Sequence, residues 1–232
     1  MSRYLAHVVA RTGGAPPPAG LRGLPLRWLD GGDLGIWATE WSAEPTLTRE
    51  DAFAHHDLVG VLCDGAPCLP VRFGTWLADE RAARRSIEAA HERFAAALDR
   101  VGDRQEVAVT LLWRDALSPE GRGHAVASSG TAFLERRRAA HAATDERRRE
   151  AEALAARLGS LLAADQADVR HETCPSDEVA LSMSLLARRG EAEALKARAA
   201  TMVAGLSGVR GVVSGPWPPY SFSEELGATG GR

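Results

Sequence analysis

No apolar run in this chain approaches the ~20 residues a helix needs to cross a bilayer, so a membrane protein is not expected. An excess of one charge is also lacking. The 28 basic and 31 acidic residues leave a formal net charge of −3, too near neutral to hold a nucleic acid by bulk electrostatics. Cysteine is scarce: Cys63, Cys68 and Cys174 are odd in number and do not make a disulfide framework. A reduced, intracellular, cytoplasmic protein is the expectation that follows. Lysine is nearly missing, with Lys196 alone against 27 arginines. With the alanine and glycine load, that skew reads as codon bias rather than as an arginine-specific surface. Met1 to Ala10 holds His7 inside its apolar stretch and lacks the charged-then-apolar pattern of a secretory leader.

What is present is an ordinary globular composition, 45% hydrophobic and 25% charged over 232 residues. That length suits one large domain or two small ones, and a chain of this size can bury about 70% of its unfolded surface. Arg3 to Val9 alternates as a first strand. Leu24 to Asp30 and Leu34 to Trp41 form a hairpin across Asp30-Gly31-Gly32-Asp33, and the second arm, apolar on both faces, is expected inside a sheet. Thr48 caps a helix to about Asp64 with Ala54, Leu58, Val61 and Leu62 as its core stripe. Asp79 caps a second helix to about Val101, with Ile87, Ala90, Phe94 and Leu98 inward and His91 as a core histidine. Glu106 to Trp113 is expected to close this unit as a strand.

Asp115 to Ser128, rich in Gly, Pro and Ser, is the linker candidate. A long helix is predicted from Ser129 to about Ala164, unbroken by proline. Its Arg136-Arg137-Arg138 and Arg147-Arg148-Arg149 runs are interspersed with acids and read as a solvated face, not a nucleic-acid contact. Ala167 to Glu172 and Glu178 to Arg188 form a strand pair, the second with Ser182 and Ser184 outward. Glu191 to Leu206 is a helix and Val209 to Ser214 a short last strand. The expected architecture is α+β: residues 1–115 as one unit, 116–128 as linker, 129–214 as a second unit, and 215–232 as a proline- and aromatic-rich tail.

Candidate chemistry is thin. Cys63 and Cys68 near His55 and His56 lack the spacing of a zinc knuckle. The glycine pairs match neither a Walker loop nor GxGxxG, and His171-Glu172 lacks a second histidine. No acid, base and nucleophile assemble in one region, so no enzyme, cofactor or metal is expected. The alternative is a ligand-sensing module or a cysteine-dependent enzyme using Cys63 or Cys68. The most distinctive stretch is Cys68-Leu69-Pro70-Val71-Arg72-Phe73-Gly74-Thr75-Trp76. It reads as a short strand with Arg72 on the face opposite Val71 and Phe73.

Three segments together resemble the gas vesicle protein F/L family: Cys68–Trp76, close to L-P-V/L-R-F-G-T; Gly130–Arg137; and Gly-Pro-Trp-Pro-Pro-Tyr-Ser-Phe at 215–222. The Tyr4 strand and the His55-His56 helix also fit. Cys68 and Trp76 replace more usual aliphatic residues, and Phe133 stands where tyrosine is common. The resemblance implies an N-terminal ferredoxin-like α/β sandwich, a C-terminal modified ferredoxin-like α+β domain with a long helix, and an extended tail packed near their junction. It implies a non-enzymatic accessory protein of gas vesicle assembly, cytoplasmic and vesicle-associated, that binds the hydrophobic major shell protein and other accessory proteins. Arg72, Phe73, Trp76, Trp217 and Tyr220 are the candidate partner-binding residues.

Overall fold

A computed structural model describes residues 2–11, 17, 19–114, 130–162 and 168–223, with side chains described for all of these except 130–141 and 161. The chain divides into two compact units, 1–106 together with 217–232, and 107–216. The first contains β1 (Arg3–Arg11), β2 (Leu26–Asp30), β3 (Leu34–Trp41), α1 (Arg49–Gly65), β4 (Cys68–Pro70), β5 (Trp76–Leu77) and α2 (Glu80–Val101). Its antiparallel sheet runs β2-β3-β1-β4, with β5 also paired to β1. Counting β1, β2, β3 and β4 as first to fourth, the spatial order is 4-1-3-2, that of a ferredoxin-like sheet. A connection with a short 3-10 turn at Leu21–Gly23 replaces the helix after the first strand, and α2 is added after the last. Interior strands are covered on both faces, and β1 and β3 are accordingly buried almost throughout.

Local signals set the helix starts. Thr48 Oγ1 accepts from the Asp51 amide at 3.3 Å while Asp51 Oδ2 accepts from the Thr48 amide at 2.8 Å, a reciprocal capping box. Asp79 Oδ1 accepts from the Ala82 amide at 2.6 Å, and Ile87, Ala90, Phe94 and Leu98 of α2 are buried as expected. The face α1 buries differs from the expected one. Asp51, His55, Val59, Leu62 and Cys63 face inward, leaving Val61 56% and Phe53 58% exposed. The turn of the helix is set by two polar residues whose partners lie inside the unit, so their burial is not penalised. His91 is also placed differently: it is half-buried at the surface, with Nε2 2.7 Å from Asp33 Oδ1.

The second unit contains β6 (Arg104–Trp113) from Val107 onward, α3 (Gly130–Leu162), β7 (Asp168–Thr173), β8 (Val179–Arg188), α4 (Ala192–Ala204) and β9 (Val209–Trp217) as far as Pro216, with sheet order β7-β8-β6-β9. This is β-α-β-β-α-β with spatial order 2-3-1-4, again ferredoxin-like. The strand expected to close the first unit is therefore the first strand of this sheet instead. Val107, Val109, Leu111 and Trp113, alternating along it, share one core with Leu158, Leu181, Met183, Leu185, Leu195 and Val203. Ser184, expected outward, is buried. On α3, Arg148 and Arg149 are exposed, as a solvated face requires, and the Arg147 guanidinium lies 5.7 Å from the Trp113 ring centre. The side chains of Arg136 to Arg138 and of Phe133 lie outside the described residues, as does the linker stretch 116–128.

Candidate functional site

The Cys68–Trp76 stretch is not one strand. β4 and β5 both pair with β1, and between them the chain makes a turn closed by the Thr75 amide and hydroxyl on the Arg72 carbonyl, at 3.2 and 2.7 Å. Gly74 sits at the third place of that turn with φ +86°, where a type II turn requires glycine. Nothing lies within 4 Å of where its Cβ would stand, so conformation rather than crowding selects it. Two backbone bonds tie the turn to β1: the Val71 amide donates to the His7 carbonyl at 2.7 Å, and the Ala6 amide to the Thr75 carbonyl at 3.0 Å. Arg72 thus projects from a rigid turn into solvent, where the sequence placed it on a strand.

Beneath the turn lies a buried histidine pair. His7 Nδ1 and His55 Nδ1 are 2.9 Å apart, His7 Nε2 is 2.7 Å from Thr39 Oγ1, and His55 Nε2 is 3.1 Å from the Val71 carbonyl. Neither ring is more than 2% exposed. One proton arrangement satisfies every atom. A carbonyl only accepts, so His55 Nε2 carries the proton there, and neutral His55 accepts at Nδ1 from His7 Nδ1–H. His7 Nε2 then accepts from the Thr39 hydroxyl, whose oxygen accepts from the Leu21 amide at 3.0 Å. Burial favours this neutral state. It holds His7 well below the usual histidine range, reinforced by repulsion from His55, and lowers His55 to about 4. With all four ring nitrogens committed, the pair is a fastener for the Val71 carbonyl and has no free base to offer a substrate. Phe73 stacks at a tilt on His55, centroids 5.3 Å apart.

A second polar lock holds the start of α1. Arg22 grips Asp51 with Nε and Nη2 at 2.8 and 2.6 Å, and its guanidinium lies 5.2 Å from the Trp41 ring centre. The Arg22 bonds keep the Asp51 carboxyl far below the usual carboxylate range. Trp76 packs edge-on to Trp41, centroids 6.1 Å apart.

The tail residues 217–223 belong to the first unit. His56 lies between Trp217, edge-on at 5.1 Å, and Tyr220, stacked at 6.1 Å. Tyr220 packs on the cluster of Val8, Ala10, Val59, Leu62, Cys63 and Cys68, and burial pushes its hydroxyl up to about 12. Phe222 is buried, and Glu106 accepts from both the Ser221 amide and its hydroxyl. Cys63 and Cys68, expected as free thiols, are joined as a disulfide between the end of α1 and the start of β4. In that state neither sulfur is a thiolate, so neither is available as a nucleophile. Cys174 is the free cysteine.

The five predicted residues therefore fall into two groups. Arg72 and Trp217 are exposed; Phe73, Trp76 and Tyr220 are half-buried against named neighbours. Sequence reading missed His7, Thr39, Arg22, Asp51, Glu106 and Ser221 as structural partners. One signal was available: a carboxylate opening an otherwise apolar strand, as at Glu106, needs a donor.

The family model described as gas vesicle synthesis protein GvpL/GvpF matches residues 3–224. A gas vesicle protein L of Streptomyces sp. (strain CB03234) is 30% identical over 231 residues, spanning 88% of this chain and 85% of the relative. The crystal structure of gas vesicle protein GvpF from Anabaena sp. PCC7120 aligns with a TM-score of 0.72 at 13% identity, covering 97% of each chain. That of GvpF from Microcystis aeruginosa gives 0.73 at 12% identity, covering 96% of this chain and 99% of the other. At these identities the two structures speak for the fold.

Proposed function

Since this chain belongs to the gas vesicle synthesis protein GvpL/GvpF family and so has a part in gas vesicle formation, we propose that it is a non-enzymatic assembly adaptor for the hydrophobic major shell protein. It also meets other accessory proteins in this reading, and works in the cytoplasm at the growing vesicle. A shell subunit with exposed apolar surface aggregates unless another surface covers it before it joins the wall. The observation that carries the proposal is how Arg72 is held. A charged side chain on a turn fixed by Gly74, Thr75 and the His55–Val71 bond is a preorganised contact, and preorganisation lowers the entropy lost on binding. Arg72 and Trp217 are assigned to partner contact. Phe73, Trp76 and Tyr220 support them from within the unit.

The test is co-expression with the major gas vesicle shell protein, followed by pull-down and a solubility assay. Capture and solubilisation by the wild type, lost in Arg72→Ala with an unchanged melting temperature, is the expected result. A shell protein that stays aggregated and unbound removes direct binding from the proposal. A large fall in melting temperature for Arg72→Ala would make this residue structural.

A further inference from the structure

Among the described residues, four large hydrophobic side chains are strongly exposed, and three of them gather at α1: Phe53, Val61 and Trp217 against His56. Positions 53, 57, 60, 61 and 64 recur at helical spacing and so share one face. That face carries Gly60 in the middle of a 17-residue helix, where glycine weakens the helix relative to alanine. Nothing inside the unit calls for it: no atom lies within 4 Å of a Cβ built there. The gap it leaves, next to Val61 and bordered one turn away by His56, Asp57 and Asp64, is a hole of the kind a side chain from a facing helix fills. The charged residues on this face are Asp57 and Asp64, both exposed, and Glu50 is exposed at the helix start. The one arginine of α1, Arg49, lies over the Phe53 ring with its guanidinium 5.4 Å from the centre.

We infer that the outer face of α1 docks a single amphipathic helix of a partner protein, an aliphatic side chain seated over Gly60 beside Val61 and its lysines or arginines meeting Asp57 and Asp64. The two acids within that face, Asp57 and Asp64, select that occupant. A second copy packing α1 on α1 would set Asp57 and Asp64 against their own equivalents, a like-charge contact that disfavours it. Trp217, held by the tail on His56, forms one wall of the seat. The inference rests on the adaptor reading only in placing a partner on the first unit; the partner's chemistry comes from α1 itself.

Fluorescence anisotropy on the full chain tests this with two labelled synthetic peptides of about 18 residues, matching the ~25 Å length of α1. One is a Leu/Lys amphipathic helix and the other its Leu/Glu counterpart. The Leu/Lys peptide is expected to bind, and the Leu/Glu peptide at least about tenfold more weakly. Gly60→Leu and the double variant Phe53→Gln with Val61→Gln should each weaken Leu/Lys binding about tenfold or more. Gly60→Leu should do so without lowering the melting temperature, a split that a glycine needed for folding would not give. Equal binding of the two peptides, no binding, or binding unaffected by either variant overturns the inference. So does self-association in sedimentation that Gly60→Leu abolishes, which would assign the face to a second copy. The same variants in the shell-protein capture separate the two readings. Capture without peptide binding sinks this inference alone, and peptide binding without capture sinks the adaptor reading alone.

Discussion

Both carboxylate oxygens of Glu106 are taken by Ser221, one by its backbone amide at 2.8 Å and one by its hydroxyl at 2.6 Å. Charge-assisted bonds to a carboxylate that is only 5% exposed are among the stronger contacts a fold makes. Glu106→Gln keeps an acceptor for the Ser221 amide but removes the charge from both bonds and reverses the one to the hydroxyl, which must then accept from the new side-chain amide. Denaturant unfolding of this variant is expected to show a loss of about 1.5–3 kcal/mol. Ser221→Ala, which keeps the amide bond, should lose less. Equal stability for Glu106→Gln and the wild type would mean that the tail is not held this way.

The histidine pair predicts an acid-sensitive stability. Both folded-state values are depressed below the ordinary value of 6.5, so the unfolded chain binds protons first. The contribution is complete above about pH 6.5 and declines as pH falls toward the folded value of about 4 for His55. His55 alone accounts for about 3 kcal/mol of loss by pH 4. The Asp51 contribution is separate in pH, since its depressed carboxyl withdraws support only below the ordinary carboxylate value of about 4. Unfolding free energy measured from pH 8 to 4 should bend near 6.5, and His55→Gln should flatten the bend. A flat wild-type profile would contradict neutral burial of the pair.

Gly74→Ala should destabilise by about 1–2 kcal/mol, because alanine meets strain at positive φ although its Cβ has open space. Gly74→Asn, which tolerates that conformation better, should fall between alanine and wild type. If alanine is neutral in thermal unfolding, the turn is not fixed at φ +86°.

Thiol titration of the denatured, unreduced chain should find one thiol, Cys174, because Cys63 and Cys68 are bonded to each other. Reducing the bond should lower stability by about 2 kcal/mol, the loop-entropy figure for so short a ring. Three reactive thiols would reopen the cysteine-dependent alternative.

How much of this was legible in the chain depends on the range of each contact. Thr48 and Asp79 announced helix starts because a cap is satisfied within three residues. The face of α1 was misjudged because hydrophobic spacing cannot value a buried polar residue whose partner is far away. His55 goes inward for His7 and Val71, and Asp51 for Arg22. The same limit hid the sheet to which β6 belongs, since its alternating Val107, Val109 and Leu111 would fit either unit, and pairing with β8 and β9 decides. Cys63 and Cys68 stand five residues apart, but only the fold shows their Cα atoms at 5.3 Å. Arg72 and Trp217 were singled out on motif alone and both lie exposed, whereas Phe73 and Tyr220 sit half-buried among neighbours.

The first unit is discontinuous: residues 217–222 complete a body begun at residue 3, after a whole intervening unit. A nascent chain emerging from the ribosome therefore cannot finish its first-made unit until nearly all of the polypeptide described here has been translated. Until then the surface on Val8, Val59 and Cys68 that receives Tyr220 stays open, and an interrupted product would carry an uncovered apolar seam that marks it for chaperones and proteases.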